Sequence, residues 1–174
     1  MQPMTGEQAT FFLHGIYLGA LKNESRITKK ILEAVPADRA DYRPDAHSKT
    51  AMELVRHIAA AEPRFLGCVL VGHFDAGPTD LPEKASPQEI ASFYEAKFAK
   101  DFETLTKATP EQLTKIVDFR GMMQMPAVSF LMMGLHHTIH HRGQLSSYLR
   151  SMGARVPAIY GESYDSAEAK KAGA

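Results

Sequence analysis

Hydrophobic and polar positions follow helical spacing over most of the chain. Apolar residues recur every three to four positions over residues 6–35, which predicts a first helix that Pro36 closes. Thr50 opens a capping box before a second helix, because its hydroxyl and the carboxylate three residues later can satisfy free backbone N–H groups. Pro63 lies inside this second pattern and predicts a bend. The apolar stripe of the second helix contains Leu54, His57, Ile58, Ala61 and Phe65.

Two further helices follow from the same reasoning. Residues 72–86 form a loop rich in Gly, Pro and Asp, and a Ser-Pro cap then opens a third helix that ends near Ala108. Residues 109–124 include a short extended segment, KIVDF. A fourth helix covers residues 126–152 and stops before Gly153. Four long helices predict an all-α four-helix bundle with a long connection between helices 2 and 3.

The composition fits one folded domain. A length of 174 residues is enough to bury a core, so residues 1–174 are interpreted as a single domain with a frayed polar tail at about 162–174. Twenty basic residues balance twenty acidic ones, which argues against nucleic-acid binding. The sequence has no signal pattern and no run of about 18–20 apolar residues, so no membrane span is predicted. A single cysteine, Cys68, excludes an internal disulfide, and a cytoplasmic location is expected.

Four of the eight histidines lie in the sequence GLHHTIHHRGQL. They form two pairs at i, i+4: His136 with His140, and His137 with His141. That spacing places two imidazoles on one helix face, where they can reach one cation without completing its coordination shell. At about 100° per residue, His137, His141 and Gln144 lie beside the leucine face of helix 4. The pair His137 and His141 is therefore predicted to point inward, and the other pair to border solvent or a neighbouring subunit.

A third ligand has to come from another helix. His57 is the natural candidate, because it occupies the apolar stripe of helix 2, where an unpaired imidazole is costly to bury. His14 fits a hydrogen-bonded core residue as well, and His47 and His73 fall in predicted loops. Three histidines with open coordination positions are the arrangement of a catalytic zinc site, and imidazole also suits nickel, copper and iron. The alternative, a helical interaction module with buried histidines and no metal, stays open.

The motifs resemble those of a known family. The segment HHTIHHRGQLSSYLRSMGARVPAIYG is similar to the hallmark of the DinB-like family, small bacterial metal-binding four-helix bundles related to the YfiT proteins. LVRHIAAAE on helix 2 resembles the family's other signature, and DYRPDAHSKTAMEL fits its lead-in. The resemblance implies one DinB-like domain over residues 1–174 and, since members commonly pair, a homodimer. Within the motif, Arg142 and Gly143 are interpreted as packing or interface residues.

The resemblance also implies a site. In that family three histidines, one on helix 2 and two on the last long helix, hold a divalent metal, usually nickel or zinc. The matching positions here are His57, His137 and His141. Gln144 matches the family's glutamine and, three residues after His141, is expected to contact that ring from outside the metal shell.

Two classes of function follow from the resemblance. Some relatives are thiol-dependent enzymes of the S-transferase type with a low-molecular-weight thiol as co-substrate, because a metal held by neutral histidines lowers the pKa of a bound thiol or water. No general base is assigned, since Glu62 is turned about 140° from His57 and is expected to be solvated. The alternatives are a metal-dependent hydrolase and a non-catalytic stress-response or structural protein in which the metal fastens helix 2 to helix 4. A fourth protein ligand would favour the structural alternative.

Overall fold

Residues 4–74, 77 and 79–173 are described by the computed structural model. Within them the elements are, in chain order, α1 (Gly6–Phe11), a π-helical segment (Phe12–Tyr17), α2 (Leu18–Glu33), a 3₁₀ turn (Ala37–Arg39), α3 (Ala51–Val71), α4 (Pro87–Leu105), α5 (Pro110–Thr114), β1 (Ile116–Phe119), β2 (Met123–Pro126), α6 (Ala127–Ser151) and α7 (Tyr164–Ala172).

Four long helical runs form the bundle: residues 6–33, α3, α4 and α6. Contacts join α3 to α6 and to α4, and α2 to the same two helices, so the order around the bundle is α2, α4, α3, α6. Two clusters of buried apolar side chains fill its interior. The predicted all-α four-helix bundle is confirmed, and so is the long connection between α3 and α4. Positions 75, 76 and 78 of that connection lie outside the described residues.

The first predicted helix is continuous but not regular. Its α-helical geometry gives way to π-helix between Phe12 and Tyr17, and the run ends at Glu33, two residues earlier than predicted. A π-helical turn holds one more residue than an α-helical one, so it shifts which side chains face the core. Leu13 and Tyr17 are buried, whereas Ile16, which the sequence pattern places in the apolar stripe, is exposed.

α3 begins as predicted. The Thr50 hydroxyl accepts a hydrogen bond from the Glu53 backbone N–H at 3.1 Å, and the Glu53 carboxylate accepts one from the Thr50 N–H at 2.7 Å, which is a complete capping box. The helix continues past Pro63 without a break in its assigned range and ends at Gly72, whose φ of 72° is the left-handed conformation common at helix ends.

α3 and α6 approach closely at one glycine. A Cβ atom placed on Gly134 of α6 would lie 2.5 Å from the Cβ of Phe65 in α3, so only glycine fits there. Because the two helices touch at this point, side chains one to two turns away on the facing surfaces also come within reach of each other. This contact positions the histidines described below.

The short extended segment predicted in KIVDF is confirmed as β1, which pairs antiparallel with β2 and leads directly into α6. The third helix is shorter than expected: α4 ends at Leu105 rather than near Ala108, and the separate α5 follows.

The expectation of a frayed C-terminal tail is wrong over α7, because Ser163 caps that helix and Asp165 accepts hydrogen bonds from the Val156 N–H and from Arg150. Among the described residues, no helix is both long and apolar enough to cross a membrane.

Candidate metal centre

Three imidazoles meet between α3 and α6. His57 extends from the second turn of α3, and His137 and His141 extend from successive turns of α6. The Nε2 atom of His57 lies 3.0 Å from that of His137 and 3.1 Å from that of His141. One potential ligand atom from each of the three residues lies within 4.8 Å of the other two. All three side chains are half-buried, so the group is partly accessible to solvent.

Burial keeps these imidazoles uncharged. Removal from water, and after it the neighbouring imidazoles, together lower the pKa of His137 to about 4. The pKa values of His57 and His141 are also lowered, again chiefly by burial. Because only a neutral imidazole has a free lone pair on nitrogen, the group is in the state that binds cations at neutral pH.

Gln144 sets the tautomer of one ring. The Nδ1 atom of His141 lies 2.7 Å from the Gln144 side-chain carbonyl oxygen. A carbonyl oxygen can only accept, so Nδ1 carries the proton and Nε2 is left as an acceptor or ligand facing the other two rings. The Nδ1 atom of His137 is buried and has no hydrogen-bond partner in the described part of the chain, so that ring is not oriented in this way.

The group fits a divalent cation. Metal–imidazole bonds of about 2.0–2.1 Å place two nitrogen ligands on one ion about 3.0–3.4 Å apart. The His57 distances of 3.0 and 3.1 Å agree with this spacing. Within the described residues, His57, His137 and His141 are the only His, Cys, Asp or Glu in the group.

Aromatic rings cover part of the centre. The Phe65 ring packs 5.5 Å from the His137 ring, measured between centroids, and Phe74 packs 5.3 Å from Phe65 on its far side. These rings have no polar atoms, so they keep water away from the part of the His137 ring that Phe65 covers.

The other candidate residues lie outside the group. His136 and His140 are exposed on α6, as their helical positions predict, although the His140 ring contacts that of His141 at 4.8 Å. The interpretation of His14 as a core residue is wrong, because it is exposed in the π-helical segment. Burial raises the pKa of the Cys68 thiol to about 11, which makes it a poor nucleophile. His47 and His73 are exposed in loops, as predicted.

The prediction for Glu62 is wrong. It was expected to be solvated, but only 2% of it is exposed, and its carboxylate accepts a hydrogen bond from the Tyr94 hydroxyl of α4. The second carboxylate oxygen, Oε1, has no partner among the described residues. Burial raises the pKa of Glu62 to about 7. The rotation around α3 that turns Glu62 away from His57 turns it into the interior of the bundle, a burial that the spacing alone does not determine.

Arg142 is buried in the bundle, as predicted for a packing residue, and its contacts are an ion pair and hydrogen bonds. It is 1% exposed and forms an ion pair of 2.6 Å with Glu24 of α2. Its guanidinium also donates to the Thr28 hydroxyl at 3.3 Å and to the Tyr160 hydroxyl at 2.7 Å. These contacts hold α6 against α2 and against the segment that follows α6, one residue from His141. Gly143, the next residue, is exposed.

This fold and site define a class: four-helix bundles with three histidines, from two helices, grouped at one face. A family model described as the DinB family matches residues 10–172, nearly the whole chain. The chain belongs to the DinB family, and the resemblance seen in its motifs is confirmed.

Two relatives come from Bacillus subtilis, and both are described as uncharacterized proteins. YrdA is 30% identical over 149 residues, which cover 83% of this chain and 86% of YrdA. YjoA is 26% identical over 129 residues, which cover 73% of this chain and 82% of YjoA.

Solved structures agree with this assignment. A DinB-like protein from Bacillus cereus superimposes with a TM-score of 0.70 at 30% identity, over 83% of this chain and 95% of its own. The crystal structure of YjoA gives a TM-score of 0.69 at 25% identity, over 84% of this chain and 99% of its own. A structure from Exiguobacterium sibiricum, described as that of a putative DinB-family member, matches at 16% identity and a TM-score of 0.55 and supports the fold alone.

Proposed function

We propose that this protein binds one divalent metal ion, nickel or zinc, through the Nε2 atoms of His57, His137 and His141. The observation that carries the proposal is the convergence of three uncharged imidazole nitrogens, with His57 Nε2 within 3.1 Å of both others. Imidazole is a ligand that both metals accept. Gln144 supports the site by holding the His141 ring in the tautomer that presents Nε2.

We further propose that the centre is catalytic, with a low-molecular-weight thiol as co-substrate in an S-transfer reaction. Three protein ligands leave coordination positions for small molecules, whereas structural zinc sites are closed by four. The group contains no fourth His, Cys, Asp or Glu among the described residues, which supports the open alternative. When bound, the metal would supply Lewis acidity that lowers the pKa of a thiol.

The chain's own residues would contribute positioning and exclusion of water. Phe65 covers part of the His137 ring and Phe74 packs against Phe65, so a thiol sulfur would enter where the half-buried imidazoles remain exposed to solvent. Glu62 is not available as a general base at the centre, because its carboxylate faces Tyr94 in the interior. Proton transfer to and from the thiol would therefore rely on solvent.

Elemental analysis and metal titration of untagged protein test the metal site. We expect about one nickel or zinc ion per chain, and we expect His137→Ala to weaken the affinity by more than about 100-fold, because two nitrogens cannot complete the site. His136→Ala is the matched control, since this histidine is adjacent in sequence but exposed and outside the group. Equal metal content in the two variants would contradict the proposal.

Turnover tests the catalytic part. Metal-loaded protein should accelerate the reaction of a thiol with an electrophile, and His137→Ala should abolish the acceleration while His136→Ala keeps it. Equal rates for wild type and His137→Ala would refute thiol-transfer chemistry at this centre. Turnover of the electrophile at the same rate without any thiol would identify a metal-dependent hydrolase instead.

A structural function has one observation in its favour: the ligands come from two helices, so a bound ion would fasten α3 to α6. A chelator should then lower the melting temperature strongly, since the binding free energy of the metal contributes to folding. Strong stabilisation together with a complete absence of thiol-dependent turnover would support this second function over the first.

A further inference from the structure

A groove of about 580 Å³ runs along the contact between α2 and α4. All of its lining residues belong to these two helices, whereas the proposed metal ligands come from α3 and α6. Lys29 of α2 pairs with Glu95 of α4 at 2.8 Å. Gln88, two turns earlier in α4, donates a hydrogen bond at 2.9 Å to the carbonyl oxygen of Glu33, one turn later in α2, so the two helices are antiparallel.

Aromatic rings form the floor of the groove. Tyr94, Phe98 and Phe102 lie on successive turns of α4 and all line it. Their ring centroids are 6.2 Å apart between Tyr94 and Phe98 and 5.5 Å apart between Phe98 and Phe102. Phe98 and Phe102 are only partly buried, so part of each ring is left without protein contacts. This floor suits the flat or apolar part of a ligand.

Small residues on both helices leave room above the rings. A Cβ atom placed on Gly19 of α2 would meet no atom within 4 Å. Ala99, on the α4 side of the groove, is exposed. A large side chain at either position would occupy the groove, so its volume depends on these two residues.

The α2 side of the groove is positively charged. Lys22, Arg26 and Lys29 all line it, and Glu95 is the only acidic residue among its lining residues. The charge of Lys29 is matched by its ion pair with Glu95. Lys22 and Arg26 form no ion pair with any described residue, and the Arg26 guanidinium donates to the side-chain oxygen of Asn23 at 3.1 Å. Two cations of the groove therefore have no anion beside them.

The spacing of these two cations is unfavourable for the helix alone. Lys22 and Arg26 are at i, i+4, where like charges on one helix face repel each other. Glu24 lies between them in sequence, but its carboxylate is turned into the bundle, where it pairs with Arg142 at 2.6 Å. An anion bound in the groove would remove this repulsion.

The cations lie beside the rings. Arg26 precedes the paired Lys29 by three residues, and Phe98 follows the paired Glu95 by three. Because the helices are antiparallel, Arg26 and Phe98 lie at the same level of the groove. Lys22 is one turn further along α2. A ligand whose acid group reaches both cations would therefore have its apolar part over the aromatic floor.

We propose that the groove between α2 and α4 binds an organic anion with a flat apolar body, of the aromatic carboxylate class. The apolar body lies on Phe98 and Phe102, and the acid group lies between Lys22 and Arg26. This inference goes beyond the proposed function and does not depend on it. The unpaired cations border a recess with an aromatic floor, which matches a small molecule with one charged end.

Three naphthalene derivatives that differ in charge test the preference. Isothermal titration calorimetry of the full chain is carried out with 2-naphthoate, 2-naphthamide and 2-naphthylmethylammonium, which carry a negative, zero and positive charge. We expect the anion to bind about tenfold more tightly than the neutral amide and the cation to bind most weakly, because two unpaired positive charges line the groove. Raising the salt concentration should reduce the difference.

Charge variants assign the preference to residues. Lys22→Gln and Arg26→Gln should each weaken 2-naphthoate binding about threefold to fivefold and leave 2-naphthamide binding unchanged. Lys30→Gln is the matched control, since Lys30 is an exposed cation of the same helix that does not line the groove. An equal loss in Lys30→Gln would show that net charge alone causes the preference, and would overturn the proposal.

Filling the groove assigns the binding to this place. Ala99→Leu should abolish binding of 2-naphthoate and 2-naphthamide, because the longer side chain covers the aromatic floor. Ala96→Leu makes the same change at an exposed position of α4 outside the lining and should bind both ligands as wild type does. Circular dichroism of both variants checks that the helices are retained.

Three outcomes would overturn the proposal. The first is the absence of saturable 2-naphthoate binding up to about 1 mM, a weak affinity even for a ligand of this size. The second is unchanged binding in Ala99→Leu, which would place the ligand elsewhere, the metal centre included. The third is a wild-type dimer in sedimentation that Ala99→Leu dissociates and Ala96→Leu does not, because the groove would then hold a second copy of the chain.

Discussion

Glu62 is buried in the bundle, where one carboxylate oxygen accepts a hydrogen bond from Tyr94 and the other has no partner among the described residues. A carboxylate in such surroundings loses its hydration, so the protonated form is favoured and its pKa rises to about 7. Periodicity alone could place Glu62 on the far side of α3 from His57, but whether that side faces water or another helix depends on how the bundle closes. The same kind of argument succeeded for His57 because its stripe is continuous and apolar.

The first prediction concerns this residue and pH. Because the pKa of Glu62 is higher in the folded protein than the usual value of about 4.3 in an unfolded chain, ionisation costs stability. The free energy of unfolding should fall by up to about 3 kcal/mol, through ionisation of this group, as the pH rises from about 4.5 to above 7. Glu62→Gln cannot ionise, so it should be more stable than wild type at pH 8 and lose this advantage near pH 5.

Urea unfolding at several pH values measures the effect. Glu83→Gln, at an exposed position in the loop before α4, is the control and should follow the wild-type profile. A Glu62→Gln profile parallel to that of wild type between pH 5 and pH 8 would show that the carboxyl does not titrate there.

At the scale of elements, helix starts were easier to predict than helix ends. The starts of α3 and α4 follow Thr50 and Ser86, because capping boxes are local signals that four residues specify. The sequence pattern predicts an end of α4 three residues later than the structure shows, and it does not predict α5. The start of α5 nevertheless carries the same signal, because Thr109 is followed by Pro110 and forms a capping box with Gln112. The π-helical segment has no such signature, because an inserted residue preserves the composition and changes only the register.

Gly134 provides a prediction at this scale. Gly134→Ala places a Cβ where only 2.5 Å separates it from the Cβ of Phe65, so α3 and α6 must move apart. We expect a loss of about 1–3 kcal/mol in the free energy of unfolding and a weaker metal affinity, because His57 moves away from His137. Thermal unfolding and metal titration of the same variant measure both.

Gly143→Ala is the matched control on the same helix. A Cβ at Gly143 meets no atom within 4 Å, and alanine favours helix over glycine by about 0.5–1 kcal/mol. This variant should be as stable as wild type or more stable. If both alanines destabilise the protein equally, the close approach at Gly134 is not what limits the distance between the helices.

The whole molecule is joined by contacts between residues far apart in sequence, and these were the least predictable. The fold class followed from four helical patterns and their connections, since local periodicity determines both. Arg142 and Glu24 are 118 residues apart in the sequence. Their ion pair follows no spacing rule and forms only in the assembled bundle. The same holds for α7, whose Asp165 contacts Arg150 and the Val156 N–H.

The ion pair yields a prediction for global stability. Arg142→Met leaves the Glu24 carboxylate inside the bundle without its partner, so we expect a loss of about 3–5 kcal/mol in the free energy of unfolding. The double variant Arg142→Met with Glu24→Met should recover much of it, because no buried charge remains. Chemical unfolding of the single and double variants measures the coupling.

An exposed pair serves as the comparison. Lys107 and Glu103 form an ion pair with side chains 70% and 73% exposed, and Lys107→Met should change the stability little. A double variant as unstable as Arg142→Met would mean that the shape of the arginine, rather than its charge, holds α6 in place.

Eighty positions separate His57 from His137 along the chain. During synthesis, a ribosome has released one imidazole of the set long before the other two exist, and no proteolytic fragment that stops short of α6 reproduces the group. Cation uptake by this group, as proposed, would therefore wait until α6 has been synthesised. Products interrupted before α6 would remain free of metal at this group, and occupancy of the proposed site would report that synthesis has passed α6.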